Sequence, residues 1–138
     1  MYSISEVTDD DIGILYNYID DEYTKLTKNK MSKHAVIRTK LALRHSDVKF
    51  KLCYDDAIIG FFGFDVHSKD TITVGSYYMN PYRRTPKANY LLVKKFTEET
   101  LPYSKALYIP IHEDMVLDNK ICKEGRIDLL QLRDRLKV

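Results

Sequence analysis

The stretch ITVGSYYMNPYRRTPKANYLLVKKFTEET, residues 72–100, decides how this chain is read. Its first part is β-like, carrying Ile72, Val74, Tyr77, Tyr78 and Met79. Asn80-Pro81 breaks that run, and Tyr82-Arg83-Arg84-Thr85-Pro86-Lys87-Ala88 leads into an amphipathic helical pattern, Tyr90-Leu91-Leu92-Val93-Lys94-Lys95-Phe96. A strand feeding a basic loop that opens a helix is a ready place for phosphate. The first helical amides point outward, and the helix dipole favours negative charge there. Arg83, Arg84 and Lys87 add cations at that mouth, and no acid lies between Asp70 and Glu98 to cancel them. Thr85 is also a good N-cap and Pro86 a good first helical residue, so a plain solvated turn fits the same letters. The rest of the chain has to choose between the two.

With 138 residues the chain is expected to form one domain, long enough to bury a core without disulfides or metal. The apolar share of 44% argues against disorder. A formal net charge of +2 gives no global case for nucleic acid. The charge is unevenly placed: Asp9, Asp10, Asp11, Asp20, Asp21 and Glu22 bracket the first helix, while cations gather over residues 83–95. Eleven tyrosines and no tryptophan favour half-buried rings with wet hydroxyls. Cys53 and Cys122 are read as free thiols of a reducing cytosol, because no signal-peptide pattern is present. His34, His45, His67 and His112 are scattered, so no metal site is expected.

Residues 2–7 alternate as a first strand, and Thr8 with Asp11 resembles a capping box. Ile12, Leu15, Tyr16, Ile19 and Tyr23 follow helical spacing. Ser32 caps a second helix through about Arg44. A meander follows: residues 48–54, 57–66 and 71–79 read as three strands, with Gly60 and Gly63 marking a bulge or a close approach. The spacing then predicts a helix from Pro86 to about Glu99, a strand over 106–111, and a helix over 113–124 ended by Gly125. Leu129, Leu130, Leu132 and Leu136 close the chain as a strand, with a short helix fitting nearly as well. The order β-α-α-β-β-β-α-β-α-β is a mixed α/β (α+β) domain spanning residues 1–138.

This order resembles the GNAT superfamily of N-acyltransferases over essentially the whole chain. The family's loop has the form Arg/Gln-x-x-Gly-x-Gly/Ala, and Arg83-Arg84-Thr85-Pro86-Lys87-Ala88 fits it without a gap. Gly125 falls where the family has a glycine after its last helix. The resemblance implies a central, mixed but mostly antiparallel sheet flanked by about four helices. It makes strands 72–79 and 106–111 parallel neighbours joined by a right-handed crossover, splaying to open a cofactor cleft. It also implies acetyl-CoA or coenzyme A as cosubstrate and an amine acceptor. Arg83, Arg84, Thr85, Lys87, Ala88 and Asn89 would hold the phosphates, and the main chain of Tyr78 and Met79 the pantetheine arm. Two positions depart from the pattern. Pro86 replaces a glycine and removes an amide. Ile121 stands where many members place a tyrosine that protonates the departing thiolate.

The candidate catalytic residues are Asp65 and His67 at the end of one strand and Tyr78 on the next. Each has an ordinary reading as well: a turn-capping acid, a surface imidazole and a packed ring. Cys122 reads as a small apolar filler. Two function classes stand nearly level. One is transfer of an acyl group from acyl-CoA to an amine by direct attack. The other is a phage-like, catalytically degenerate member with a structural or host-directed role and a protein partner. Nucleic-acid binding through the basic patch is the weakest, since stacking modules usually present aromatics across a sheet face. The expected location is the cytoplasm.

Overall fold

The computed structural model describes residues 1–103 and three short backbone segments, 106–108, 122–123 and 126–128. Strand β1 (Tyr2–Glu6) leads through a 3-10 turn (Asp9–Asp11) into α1 (Ile12–Thr27), and α2 (Lys33–His45) follows. The meander is β2 (Val48–Tyr54), β3 (Ala57–Ser68) and β4 (Thr71–Met79). A second 3-10 turn (Pro81–Arg83) precedes α3 (Pro86–Thr100), and β5 (Ala106–Tyr108), β6 (Cys122–Lys123) and β7 (Arg126–Asp128) complete the described elements. Among the described residues no helix is long and apolar enough to cross a membrane.

Strands β1 to β4 form one sheet in chain order, and every ladder in it is antiparallel. Period-two alternation gives that sheet two apolar faces, so it needs cover on both. On one face Leu52, Phe62, Phe64, Ile72, Val74 and Met79 pack under Ala88, Leu92 and Phe96 of α3. Phe62 meets the rings of Phe50, Phe64, Tyr77 and Phe96 at 5.2–6.4 Å between centroids. On the other face Cys53, Ile58 and Phe61 pack with Ile12 and Leu15 of α1 and Leu43 of α2. The result is three layers with the sheet in the middle.

Gly60 meets the close approach expected of it. A Cβ there would stand 3.0 Å from the Tyr78 carbonyl oxygen and 3.2 Å from both Leu92 Cδ2 and Met79 Sδ. Its bare backbone lets β4 and α3 crowd the same point of β3.

Two expectations about the C-terminal third are corrected. Among the described residues β5 does not pair with β4: it belongs to a second, three-stranded sheet of order β5-β7-β6, in which both ladders are antiparallel. β5 and β4 lie near each other with no joining ladder among the described residues. A long crossover helix permits parallel pairing but does not compel it, and β5 satisfies its backbone against β7 instead. This break speaks against the acyltransferase resemblance at that junction. Cys122 and Lys123 were expected inside a helix and are a strand, paired with Ile127 and Arg126. A glycine after an apolar run occurs at strand connections as readily as at helix ends, so it does not by itself specify a helix over the residues before it. The rest of the expected 113–124 helix, His112, Ile121 and the closing leucines lie outside the described residues.

The start of α1 is fixed by charge. The Asp11 carboxylate accepts from the Thr8 amide at 2.8 Å, the Thr8 hydroxyl at 3.0 Å and Lys51 Nζ at 2.6 Å. Burial by itself pushes the Asp11 carboxyl up, but the Lys51 ammonium and the two Thr8 donors outweigh it and hold the group below the ordinary carboxylate value. A carboxyl depressed in the folded state adds stability above its unfolded pKa, ~3.9, and loses it as pH falls through the folded one. Asp11→Asn should therefore cost about 3 kcal/mol at pH 7, since it strands a mostly buried ammonium. Lys51→Met should cost less, because the carboxylate keeps its Thr8 donors. Denaturant titrations should show the gap between native and Asp11→Asn narrowing below about pH 4. A gap that is absent at pH 7, or unchanged down to pH 3, would refute this account.

Candidate functional site

β4 carries an irregularity that sets the site. Val74 pairs opposite Phe64 and Ser76 opposite Gly63, so Gly75 is an extra residue in β4. One inserted residue reverses the side-chain parity of everything after it. Ile72 and Val74 face α3, and so do Tyr77 and Met79 beyond the bulge. Tyr78 is thereby turned to the opposite face, where it joins the α1 side.

The two tyrosines have different fates. Tyr77 packs among Phe62 and Phe96, and burial pushes its phenol far above its ordinary value despite the Arg84 guanidinium nearby. It is a packing residue. Tyr78 stacks between Tyr18 at 5.0 Å and Phe61 at 5.4 Å. Its phenol is pushed up to about 12, first by burial, then by Tyr18, Glu22 and Asp21, with Arg84 opposing. At neutral pH Tyr78 is a hydrogen-bond donor and not a base.

Past Met79 the chain is tightly turned. Asn80 N–H donates to the Ile59 carbonyl at 2.7 Å, and Asn80 Oδ1 accepts from the Tyr82 amide at 3.0 Å. Thr85 then caps α3. Its hydroxyl accepts from the Ala88 amide at 3.0 Å, and its carbonyl from the Asn89 amide at 3.0 Å. Pro86 has no amide, so within this first turn Lys87 holds the one N–H that the cap does not use. The cations rest on aromatic faces. Lys87 Nζ lies 5.6 Å from the Tyr2 ring centre and the Arg83 guanidinium 5.9 Å from that of Tyr54. Those two rings meet edge to face at 5.0 Å, and the Tyr2 hydroxyl lies 3.1 Å from Thr85 Oγ1. Arg84 is half-buried, with Nη2 at 3.5 Å from the Met79 carbonyl oxygen.

Two adjoining cavities lie between α1 and β4. The first, about 210 Å³, is bounded by Ile19, Glu22, Tyr23, Leu26, Met31, Phe61 and β4 from Gly75 to Tyr78. The second, about 240 Å³, lies towards the loop, between Tyr18, Asp21, Glu22 and Lys25 on α1 and Tyr78, Asn80, Pro81 and Tyr82. Glu22 and Tyr78 belong to both.

The structure brings Tyr78 and Met79 together with Arg83, Arg84, Thr85, Lys87, Ala88 and Asn89 around the end of β4 and the start of α3. Asp65 and His67 are not part of that group. Asp65 sits opposite Thr73 and His67 Nε2 is 2.9 Å from Thr73 Oγ1, at the far end of the hairpin. Thr73 and Met79 are six positions apart, roughly 20 Å of strand. Asp21, Glu22, Tyr18 and Tyr82 were missed as cavity residues. Tyr18, Asp21, Glu22 and Lys25 stand at i, i+3, i+4 and i+7, so a helical reading carried to the polar residues would have put them on one face. Among the described residues no group of three His, Cys, Asp or Glu side chains is placed to hold a metal ion.

No protein-family model matches the sequence, and none of the curated proteins does. Solved structures do match. The PaiA N-acetyltransferase of Thermoplasma acidophilum, solved with coenzyme A, is 10% identical with a TM-score of 0.60, covering 92% of this chain and 96% of its own. A Staphylococcus aureus protein ascribed to the gnat acetyltransferase family is 13% identical with a TM-score of 0.56, covering 71% of this chain and 90% of its own. Ard1 of Thermoplasma volcanium is 13% identical with a TM-score of 0.58, covering 82% and 73%. Identity this low speaks for architecture and not for chemistry. The chain has the fold of the GNAT N-acyltransferases.

Proposed function

We propose that the chain is an N-acyltransferase that moves an acyl group from acyl-CoA to an amine by direct attack. The observation that carries this reading is the end of β4: a bulged strand that leads through a tight turn into a cationic loop and a helix N-terminus. Among the described residues no strand pairs with the outer edge of β4. Its amides and carbonyls there suit the two amides of a pantetheine arm, which adds to a sheet edge as an extended peptide does. Arg83 and Arg84 suit the phosphates, because guanidinium forks match phosphate oxygens and reinforce the dipole of α3. Tyr78 supplies a hydroxyl for the carbonyl oxygen of the thioester as negative charge develops on it.

Replacing Arg83 and Arg84 together with alanine should weaken coenzyme A binding at least tenfold, given about 1.5–3 kcal/mol for hydrogen bonds to charged groups. Calorimetry reads this directly. If the native protein takes up no coenzyme A at millimolar concentration, the acyltransferase reading is wrong.

A second reading, retention of the fold without catalysis, draws on the same loop. Pro86 has removed one amide, and Thr85 spends another on capping. Both leave less backbone for a pyrophosphate than a glycine would. Pro86→Gly returns one N–H to the mouth of α3 and should tighten coenzyme A binding about tenfold if that amide meets the phosphates. The helix should lose a little stability in exchange, because proline suits that position. An unchanged affinity would mean that the side chains alone hold the anion.

A further inference from the structure

We propose that the outer face of α2 is a docking surface for an anionic lipid bilayer. The bilayer interface takes up Ile37 and Leu41, and the lysines and arginines around them meet the headgroups. This surface is separate from the loop and the cavities, and it does not depend on the acyltransferase reading.

The charge on this face has one sign. From Tyr23 to Ser46 the sequence has no Asp or Glu, and its seven Lys and Arg residues are all exposed. Lys33, Arg38, Lys40 and Arg44 lie on α2 itself, and Lys28 and Lys30 stand just before it. Lys49 Nζ donates to the Arg44 carbonyl and adds an ammonium at the C-terminal end of the helix. Among the described residues none of the four α2 cations forms an ion pair. The first acid after the helix, Asp47, is engaged elsewhere, accepting from the Val66 amide at 2.7 Å. Lys40 Nζ lies 4.8 Å from the Tyr16 ring centre, and Asp20 on α1 bears on that same tyrosine. The Lys40 edge is therefore the least positive part of the face. A surface of this kind complements the negative potential of anionic headgroups.

The apolar residues decide what sort of anion it meets. Packing accounts for the inner side of α2, where Leu43 is buried in the α1-side core and Ala35, Val36 and Thr39 are half-buried. It does not account for Ile37 and Leu41, which are 58% and 47% exposed and one turn apart. Lys33 and Arg44 continue their row at the two ends, at helical spacing. A single exposed aliphatic is ordinary. Two in one row, framed by cations, is the pattern of a helix lying in a bilayer interface, where long basic side chains reach the headgroups and the aliphatics enter the acyl boundary. A nucleic-acid backbone would use the charges but press phosphates onto Ile37 and Leu41 with no gain, and α2 has no aromatic ring on which a base could stack.

The test uses the full chain with vesicles of phosphatidylcholine alone, or with about one third phosphatidylserine, and reads binding by flotation. Binding should be at least tenfold tighter to the anionic vesicles, and should fall at least tenfold as salt rises from about 0.1 to 0.5 M. Arg38→Gln with Arg44→Gln should weaken it at least tenfold, since one cation near such a surface is worth about fivefold. Ile37→Ser with Leu41→Ser should weaken it about fivefold or more at unchanged charge. All four positions are exposed, so thermal unfolding followed by circular dichroism should be unaltered in both variants. Lys87→Gln with Lys94→Gln makes the same charge change on α3, across the sheet, and should shift the affinity by no more than about twofold. No binding to anionic vesicles, equal binding to neutral ones, or an equal loss from the α3 pair overturns the proposal. So does native affinity in the Ile37→Ser, Leu41→Ser variant, because the contact would then be charge alone. A random-sequence DNA duplex or polyglutamate that displaces the protein from vesicles at equal charge concentration would assign the face to nucleic acid or to an acidic protein instead.

Discussion

Gly75 stands in β4 with no residue opposite it, between the Val74–Phe64 and Ser76–Gly63 pairs. Every later side chain on the strand inherits its orientation from that insertion. Without it, Tyr78 would lie on the α3 side with Ile72 and Val74, and Tyr77 would point at α1. With it, the α3 side receives Tyr77 and Met79, which complete the larger core. The α1 side receives Tyr78, the ring that borders both cavities. Gly60 is the matching concession on β3. Its missing side chain lets the strand lie close under the carbonyl of Tyr78 and the side chain of Leu92. Strand, helix and candidate site thus depend on backbone geometry at two glycines rather than on any single polar contact.

Charge is divided by the same sheet. Arg83, Lys87 and Arg84 surround the start of α3, and the first two lie against the Tyr54 and Tyr2 rings. Tyr rings carry negative faces, so they hold these cations in place while leaving their hydrogen-bond donors available. Across the sheet, Asp21 and Glu22 border the cavities on α1. The buried charge on that face is handled differently: Asp11 and Lys51 neutralise each other inside the layer, with Thr8 filling the remaining acceptor sites. That pair supports architecture.

Much of this was legible in the chain. Thr85 before Pro86 placed the start of α3 correctly, because a hydroxyl at the N-cap and a proline at the first position are local chemistry. Ser32 did the same for α2, and Thr8 with Asp11 for the helical turn ahead of α1. The strands of the meander followed from alternation at Val48, Phe50, Leu52 and Tyr54. The bulge at Gly75 was not legible. A period of two looks much the same when one residue is inserted next to a Ser and a pair of tyrosines, all of which suit either face. The separation of β5 from β4 was equally hidden, since strand pairing is decided by non-local competition for backbone partners and no residue within Ala106–Tyr108 announces it. For the site, the loop was found because its residues are contiguous. The cavities were missed because they need α1 and β4 to meet, and those elements are far apart in sequence.

The Thr85 hydroxyl has two claims on it, the Ala88 amide and the Tyr2 hydroxyl, and the Tyr2 ring in turn packs against Tyr54. An anion that drew the Ala88 amide away from Thr85 would free that hydroxyl and change what Tyr2 has to bond with. The entrance to α3 and Tyr2 of β1 are therefore linked through one hydroxyl contact. Coupling of this kind is reciprocal: a change at Tyr2 would be felt at the helix mouth as surely as an anion at the mouth would be felt by Tyr2.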